Sequence, residues 1–186
     1  MITWIIIGVA AALVLWVIAA FNGLISLRNQ TLNGWRQIDV QLKRRHDLIP
    51  NLVETVKGVM KFEQTTLTQV IEARNRAISA QGVAAKAVEE NALTGALRQL
   101  FALVENYPNL KSSENVSRLQ EELSSTENRI GFARQFYNDI ATRFNTAQQT
   151  FPTNTIAGLF GFKPSELFEI SDAAERAVPK VDLNLK

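Results

Sequence analysis

The stretch from Lys43 to Asn51 reads KRRHDLIPN and gathers the side chains most able to do chemistry. His46 is the only histidine, and Asp47 beside it could hold an imidazole as a general base. Lys43, Arg44 and Arg45 could grip a phosphate. Geometry opposes both uses. Neighbours on a helix point about 100° apart, so His46 and Asp47 do not face each other. No serine sits in a Gly-flanked nucleophile turn, and there is no phosphate-binding loop. The absence of cysteine excludes disulfides, thiolate metal sites and cysteine nucleophiles. A lone histidine excludes multi-histidine metal centres, and the acids are spread at helical spacings rather than converging. We therefore expect no catalytic, cofactor-binding or metal site, and no enzymatic activity. The basic run lacks a recognised nucleic-acid motif, so no nucleic-acid partner is expected.

The same residues suit an architectural corner. Basic side chains at 43–45 complement the negative end of a helix macrodipole. Pro50 disfavours helical backbone at Ile49 and fits the first turn of a following helix. Asp47 can cap that helix. This reading makes Lys43, Arg44, Arg45, His46 and Asp47 an exposed distal corner between two helices.

The elements that would place this corner begin with residues 2–21, ITWIIIGVAAALVLWVIAAF, which carry no charge and no proline. As a helix they span about 30 Å, the thickness of a bilayer core. No basic residue precedes them, unlike the start of a cleaved signal peptide, so a retained transmembrane anchor over 1–22 is expected. Arg28 and Arg36 follow the apolar run. By the positive-inside rule they place the N-terminus outside and the domain in the cytoplasm. They are also the candidates for the membrane interface. From Arg28 to Lys61 seven basic residues face three acids, a local balance compatible with anionic lipid, nucleic acid or cytoplasmic retention.

The remainder reads as helix. From Val116, steps of three and four reach Leu119, Leu123, Thr126, Ile130, Ala133, Tyr137, Ile140, Phe144, Ala147 and Phe151, with Thr126 the only plainly polar member. Thr31, Trp35, Ile38 and Leu42 repeat the step upstream. Pro108 and Pro152 punctuate the chain, and Gly82 suits a left-handed helix end. The pattern predicts an all-α protein: an N-terminal transmembrane helix, then an elongated antiparallel four-helix bundle over 23–151 with helices near 22–46, 50–80, 87–106 and 113–151. Gly34, Gly58 and Gly131 inside these helices allow close helix approach. Residues 152–186 form a short helical segment and tail near the membrane end. Their neighbourhood carries Phe151, Phe160, Phe162 and Phe168, which could cover the open end of the bundle, enter the interface or contact another subunit. Alternating Val181, Leu183 and Leu185 could add as a strand to another chain.

The blocks LRNQTLNGWRQIDVQLKRRHDLIPNLVETVKG (27–58), TLTQVIEARNRA (66–77), ENVSRLQEELSSTENRIGFARQFYNDIATRFN (114–145) and FPTNTIAGLFGFKPSELFE (151–169) resemble the LemA family of bacterial single-pass membrane proteins. The resemblance implies a helical bundle behind an N-terminal anchor and supplies no enzymatic reaction. Relatives involved in magnetosome membrane formation tilt it toward membrane organisation. The expected function is a homo-oligomeric scaffold acting on the lipid bilayer. The alternative is a tethered adaptor for a soluble protein partner.

Overall fold

The computed structural model describes residues 1–58 and 63–169. Every regular element among its described residues is a helix, with no strand among them, and the chain is all-α. The elements are α1 (Ile2–Lys57), α2 (Gln64–Ser79), α3 (Val83–Val104), α4 (Pro108–Lys111), α5 (Glu114–Gln149) and α6 (Thr153–Leu159). The alternating tail at Val181–Leu185 lies outside the described residues.

Two compact units divide these elements. The first joins Met1–Arg45 to Glu122–Leu167. The second holds His46–Glu121 together with Phe168.

In the first unit α1 and α5 run antiparallel, which successive contacts establish. Phe144 lies in one buried cluster with Leu24. The Trp35 and Tyr137 rings are 5.7 Å apart, and Arg45 pairs with Glu127 at 2.9 Å. As α1 numbers rise, α5 numbers fall. The seam read from the sequence is buried at Leu123, Thr126, Ile130, Tyr137, Ile140 and Phe144 and leaves the core at Phe151, which is exposed. Thr126 is tolerated there because its hydroxyl donates to the Glu122 carbonyl one turn back, at 2.8 Å. Thr31 does the same with Leu27 at 2.9 Å. After α5 the chain folds back over the pair. Ile156 and Ala157 of α6, with Phe162, close on Leu24 and Phe144 beside Val17, Ala20 and Phe21.

Gly58 lies just beyond the end of α1, and of the three glycines expected inside helices only Gly34 marks a close approach. A Cβ there would stand 3.3 Å from the Tyr137 Cα, whereas Gly58 and Gly131 have open space. A leucine at position 34 must push α5 away, so Gly34→Leu is expected to cost the protein about 1–3 kcal/mol. Gly131→Leu should instead gain up to about 1 kcal/mol of helix propensity. Thermal unfolding followed by circular dichroism separates the two, and equal effects would contradict the close approach.

The second unit contains the α2–α3 hairpin. Arg76 meets Glu89 at 3.1 Å near the Ala80–Gly82 connection, and the Tyr107 hydroxyl reaches Glu63 at 3.4 Å at the other end. Gly82 adopts φ +84°, a conformation that glycine takes without strain, but it leads into α3 rather than closing the helix before it. Leu67, Val70, Ala73 and Ala77 of α2 and Leu93, Leu97, Leu100 and Val104 of α3 are buried. Pro108 opens α4 at a position that needs no N–H donor.

The first two expected helices need correction. The helix expected over 22–46 runs on to Lys57, and the one expected over 50–80 begins at Gln64. Pro50 lies inside α1. A proline there withholds the N–H that would bond the His46 carbonyl four residues back. The Arg74 Nε from α2 donates to that carbonyl at 2.7 Å. The orphaned acceptor is satisfied from outside the helix, so the helix need not end.

Candidate functional site

The KRRHDLIPN stretch is therefore not an exposed corner. Arg45 and His46 are 3% and 6% exposed, while Lys43, Arg44 and Asp47 face solvent. The signal for this lies in the register. Continuing the 4-3 step from Ile38 and Leu42 gives Arg45, Ile49, Leu52 and Val56, all buried. The apolar stripe of α1 passes through Arg45 and straight past Pro50.

The Arg45 and His46 side chains each have a partner from another helix. In the first unit Arg45 Nη1 meets Glu127 of α5 at 2.9 Å. In the second, His46 Nε2 and Glu90 Oε1 of α3 share a hydrogen bond of 2.7 Å, both side chains being under 10% exposed. With the Arg74 bond to the His46 carbonyl, the backbone and side chain of one residue tie α1 to both α2 and α3. Such a node fixes which helix faces meet. Sealed from solvent, it pins helices rather than presenting a base to a substrate. Among the described residues no group of three His, Cys, Asp or Glu side chains could hold a metal ion.

The membrane-facing candidates fall in the first unit. Ile2, Trp4, Ile5–Ile7, Val9, Leu13–Leu15 and Ile18 are exposed on α1, an apolar surface about 24 Å long suited to lipid. Arg28 and Arg36 are exposed. They lie seven and fifteen residues beyond Phe21, about 10 and 22 Å along the helix. Arg28 is thus the nearer of the two to the end of the apolar run.

The aromatic candidates separate. Phe160 packs at a tilt against Phe21 with centroids 4.8 Å apart, though it remains half-exposed. Phe162 packs edge-on to both Phe21 and Phe144, at 5.9 and 6.2 Å. Phe151 projects into solvent, and Phe168 is buried in the second unit. Three further bonds hold the segment after α6 to α5. The Tyr137 hydroxyl donates to the Glu166 carbonyl at 2.6 Å, and Asn145 exchanges two bonds of 2.8 Å with the Ser165 backbone. Burial, and then the Glu166 carboxylate, raise the Tyr137 pKa, which keeps this hydroxyl a donor.

One surface was not anticipated from the sequence. On the first unit α1 and α5 border an open groove of about 550 Å³ lined by Arg36, Val40, Gln41, Arg129, Phe132 and Phe136 among others. Val40 and Phe132 are 63% and 74% exposed. Leu32, Arg36 and Val40 recur every four residues on the solvent side of α1, an outward row of mixed character that a core-seeking search passes over.

Comparison with known proteins supplies the context for this architecture. Protein LemA of Metamycoplasma hominis is 28% identical over 155 residues, covering 81% of this chain and 69% of that protein. Magnetosome protein MamQ 2 of Paramagnetospirillum magneticum is 24% identical over 184 residues, covering 85% of this chain and 68% of the relative. Magnetosome protein MamQ of Magnetospirillum gryphiswaldense is 23% identical over the same coverage. The LemA family profile matches residues 34–183, from the glycine at the α1–α5 approach onward. With four-fifths of its length matched in this way, the chain belongs to the LemA family.

Proposed function

We propose that the protein is a membrane-anchored helical scaffold that self-associates and shapes the bacterial inner membrane, with its domain in the cytoplasm. One observation carries the reading: the apolar segment and the first unit share a single unbroken helix, α1. Val17, Ala20 and Phe21, at the end of the apolar run, also belong to the cluster closed by α6. A cleavable leader has no reason to pack into the core of the mature domain. Leu159 and Phe160 remain exposed beside this exit and suit the headgroup boundary. Apolar groups seated at that depth add area to one leaflet. Repeated through an array of copies, that addition bends the sheet. The magnetosome association in the names of two relatives agrees with a membrane-organising role.

The test is reconstitution of the full-length chain into vesicles containing anionic lipid, imaged by electron cryomicroscopy, with mass photometry of the detergent-extracted protein. Assemblies and a changed vesicle shape are expected, and Leu159→Ser/Phe160→Ser should restore the round outline. A monomer in lipid on unaltered vesicles would end this reading.

A second reading, a tethered adaptor for a soluble protein, is favoured by the uncovered groove on the first unit. It requires that photo-cross-linkers placed over the domain surface trap a heterologous protein in cells.

A further inference from the structure

The α1–α5 pair is covered unequally. On one flank the segment after α6 is bonded along α5 through Tyr137 and Asn145. Phe136, the residue before Tyr137, lies in the groove instead, with its Cδ1 3.5 Å from where a Gly34 side chain would begin. Two helices in contact leave a furrow that accepts a third. Here the furrow is floored by Val40, Phe132 and Phe136 and edged by Arg36 on one helix and Arg129 on the other. Among the described residues neither guanidinium has an ion-pair or hydrogen-bond partner, and no carboxylate lines the groove.

We propose that this groove receives an acidic amphipathic helix of a protein partner, whose apolar stripe seats on Val40, Phe132 and Phe136 while its carboxylates meet Arg36 and Arg129. This helix-in-groove mode reads apolar anchors spaced three and four residues apart. Charge decides against the other occupants. Two copies joined groove to groove would bring four guanidiniums together with no acid between them. A bilayer is out of reach. Arg36 lies about 22 Å along α1 from Phe21, and even a 40° tilt leaves it about 17 Å up, twice the Debye length of about 8 Å.

The inference rests on the adaptor reading and narrows it to one surface and one partner chemistry. The two fail separately. Heterologous cross-links found only elsewhere on the domain would leave an adaptor without this groove, and none anywhere would remove the adaptor itself.

The test uses the full chain in phosphatidylcholine nanodiscs and two synthetic 20-residue helices. One carries a leucine stripe flanked by glutamates, the other the same stripe flanked by lysines. Fluorescence anisotropy should show the glutamate peptide binding in the micromolar range, at least tenfold tighter than the lysine peptide, with affinity falling as salt rises. Arg36→Glu/Arg129→Glu should reverse the preference, a gain that misfolding cannot imitate. Phe132→Ser should weaken both peptides. Equal binding of the two peptides, absence of the reversal, or no binding at about 1 mM peptide would overturn the proposal. So would a change in sedimentation of the peptide-free chain on charge reversal, which would make the occupant a second copy. Loss of peptide binding when phosphatidylglycerol enters the nanodisc would make it lipid, with the same result.

Discussion

Glu90→Leu is expected to destabilise the protein by about 2–4 kcal/mol, because it leaves His46 buried without the acceptor that now stands 2.7 Å from Nε2. The cost comes from stranding a desolvated polar group, not from losing a favourable contact of that size. His46→Leu/Glu90→Leu removes both groups and should recover most of the loss, since a well-packed apolar pair can match a buried polar one. Glu90→Gln keeps an oxygen acceptor and should fall between. Urea unfolding of the full-length protein in detergent, followed by circular dichroism, measures all three. A double substitution as damaging as Glu90→Leu would show that leucine fails sterically and that the hydrogen bond is not the determinant.

The second large effect concerns Pro50 and Arg74. An interior proline costs a helix about 3 kcal/mol relative to alanine. Part of that is already recovered by the Arg74 bond to the His46 carbonyl. Pro50→Ala should therefore stabilise the protein by about 2 kcal/mol. Arg74→Met should cost about 1–3 kcal/mol, the expense of an unsatisfied buried carbonyl. The two are coupled. Once Pro50→Ala restores a backbone N–H to that carbonyl, Arg74 becomes dispensable, and Arg74→Met should then cost under about 1 kcal/mol. Strict additivity in the double-mutant cycle would mean that Arg74 does not stand in for the missing donor.

These two sites mark where the sequence misleads. The Val116–Phe144 seam announces α5 because its signal is local and repeated, and a single threonine does not break it. The punctuation at Pro108 reads correctly as a helix stop for the same reason. Pro50 carries an equally strong local signal and is overruled by one donor 24 residues downstream in the sequence. Arg45 and His46 look like surface because charge usually is surface. Their burial depends on Glu127 and Glu90, whose positions follow only from the packed arrangement. The stepping pattern through Arg45, Ile49, Leu52 and Val56 did hold the information. It becomes readable once a charged residue is allowed a place in an apolar register. The Arg36–Phe132 groove was invisible for the opposite reason. Its apolar residues face outward, and nothing in the chain's own core demands them.

The unbroken passage of α1 out of its apolar segment would make the helix a lever once that segment is seated in lipid. From Phe21 to Arg45 the arm is about 36 Å long. A bilayer thinner than the apolar segment makes that segment lean. Every ten degrees of lean carries Arg45 sideways by about 6 Å, more than the width of one strand spacing. No flexible joint lies between to absorb the movement, since α1 is helical throughout this arm. With the apolar segment in a bilayer, membrane thickness would be converted into lateral displacement of whatever the first unit holds, and the chain would act as a gauge of the sheet.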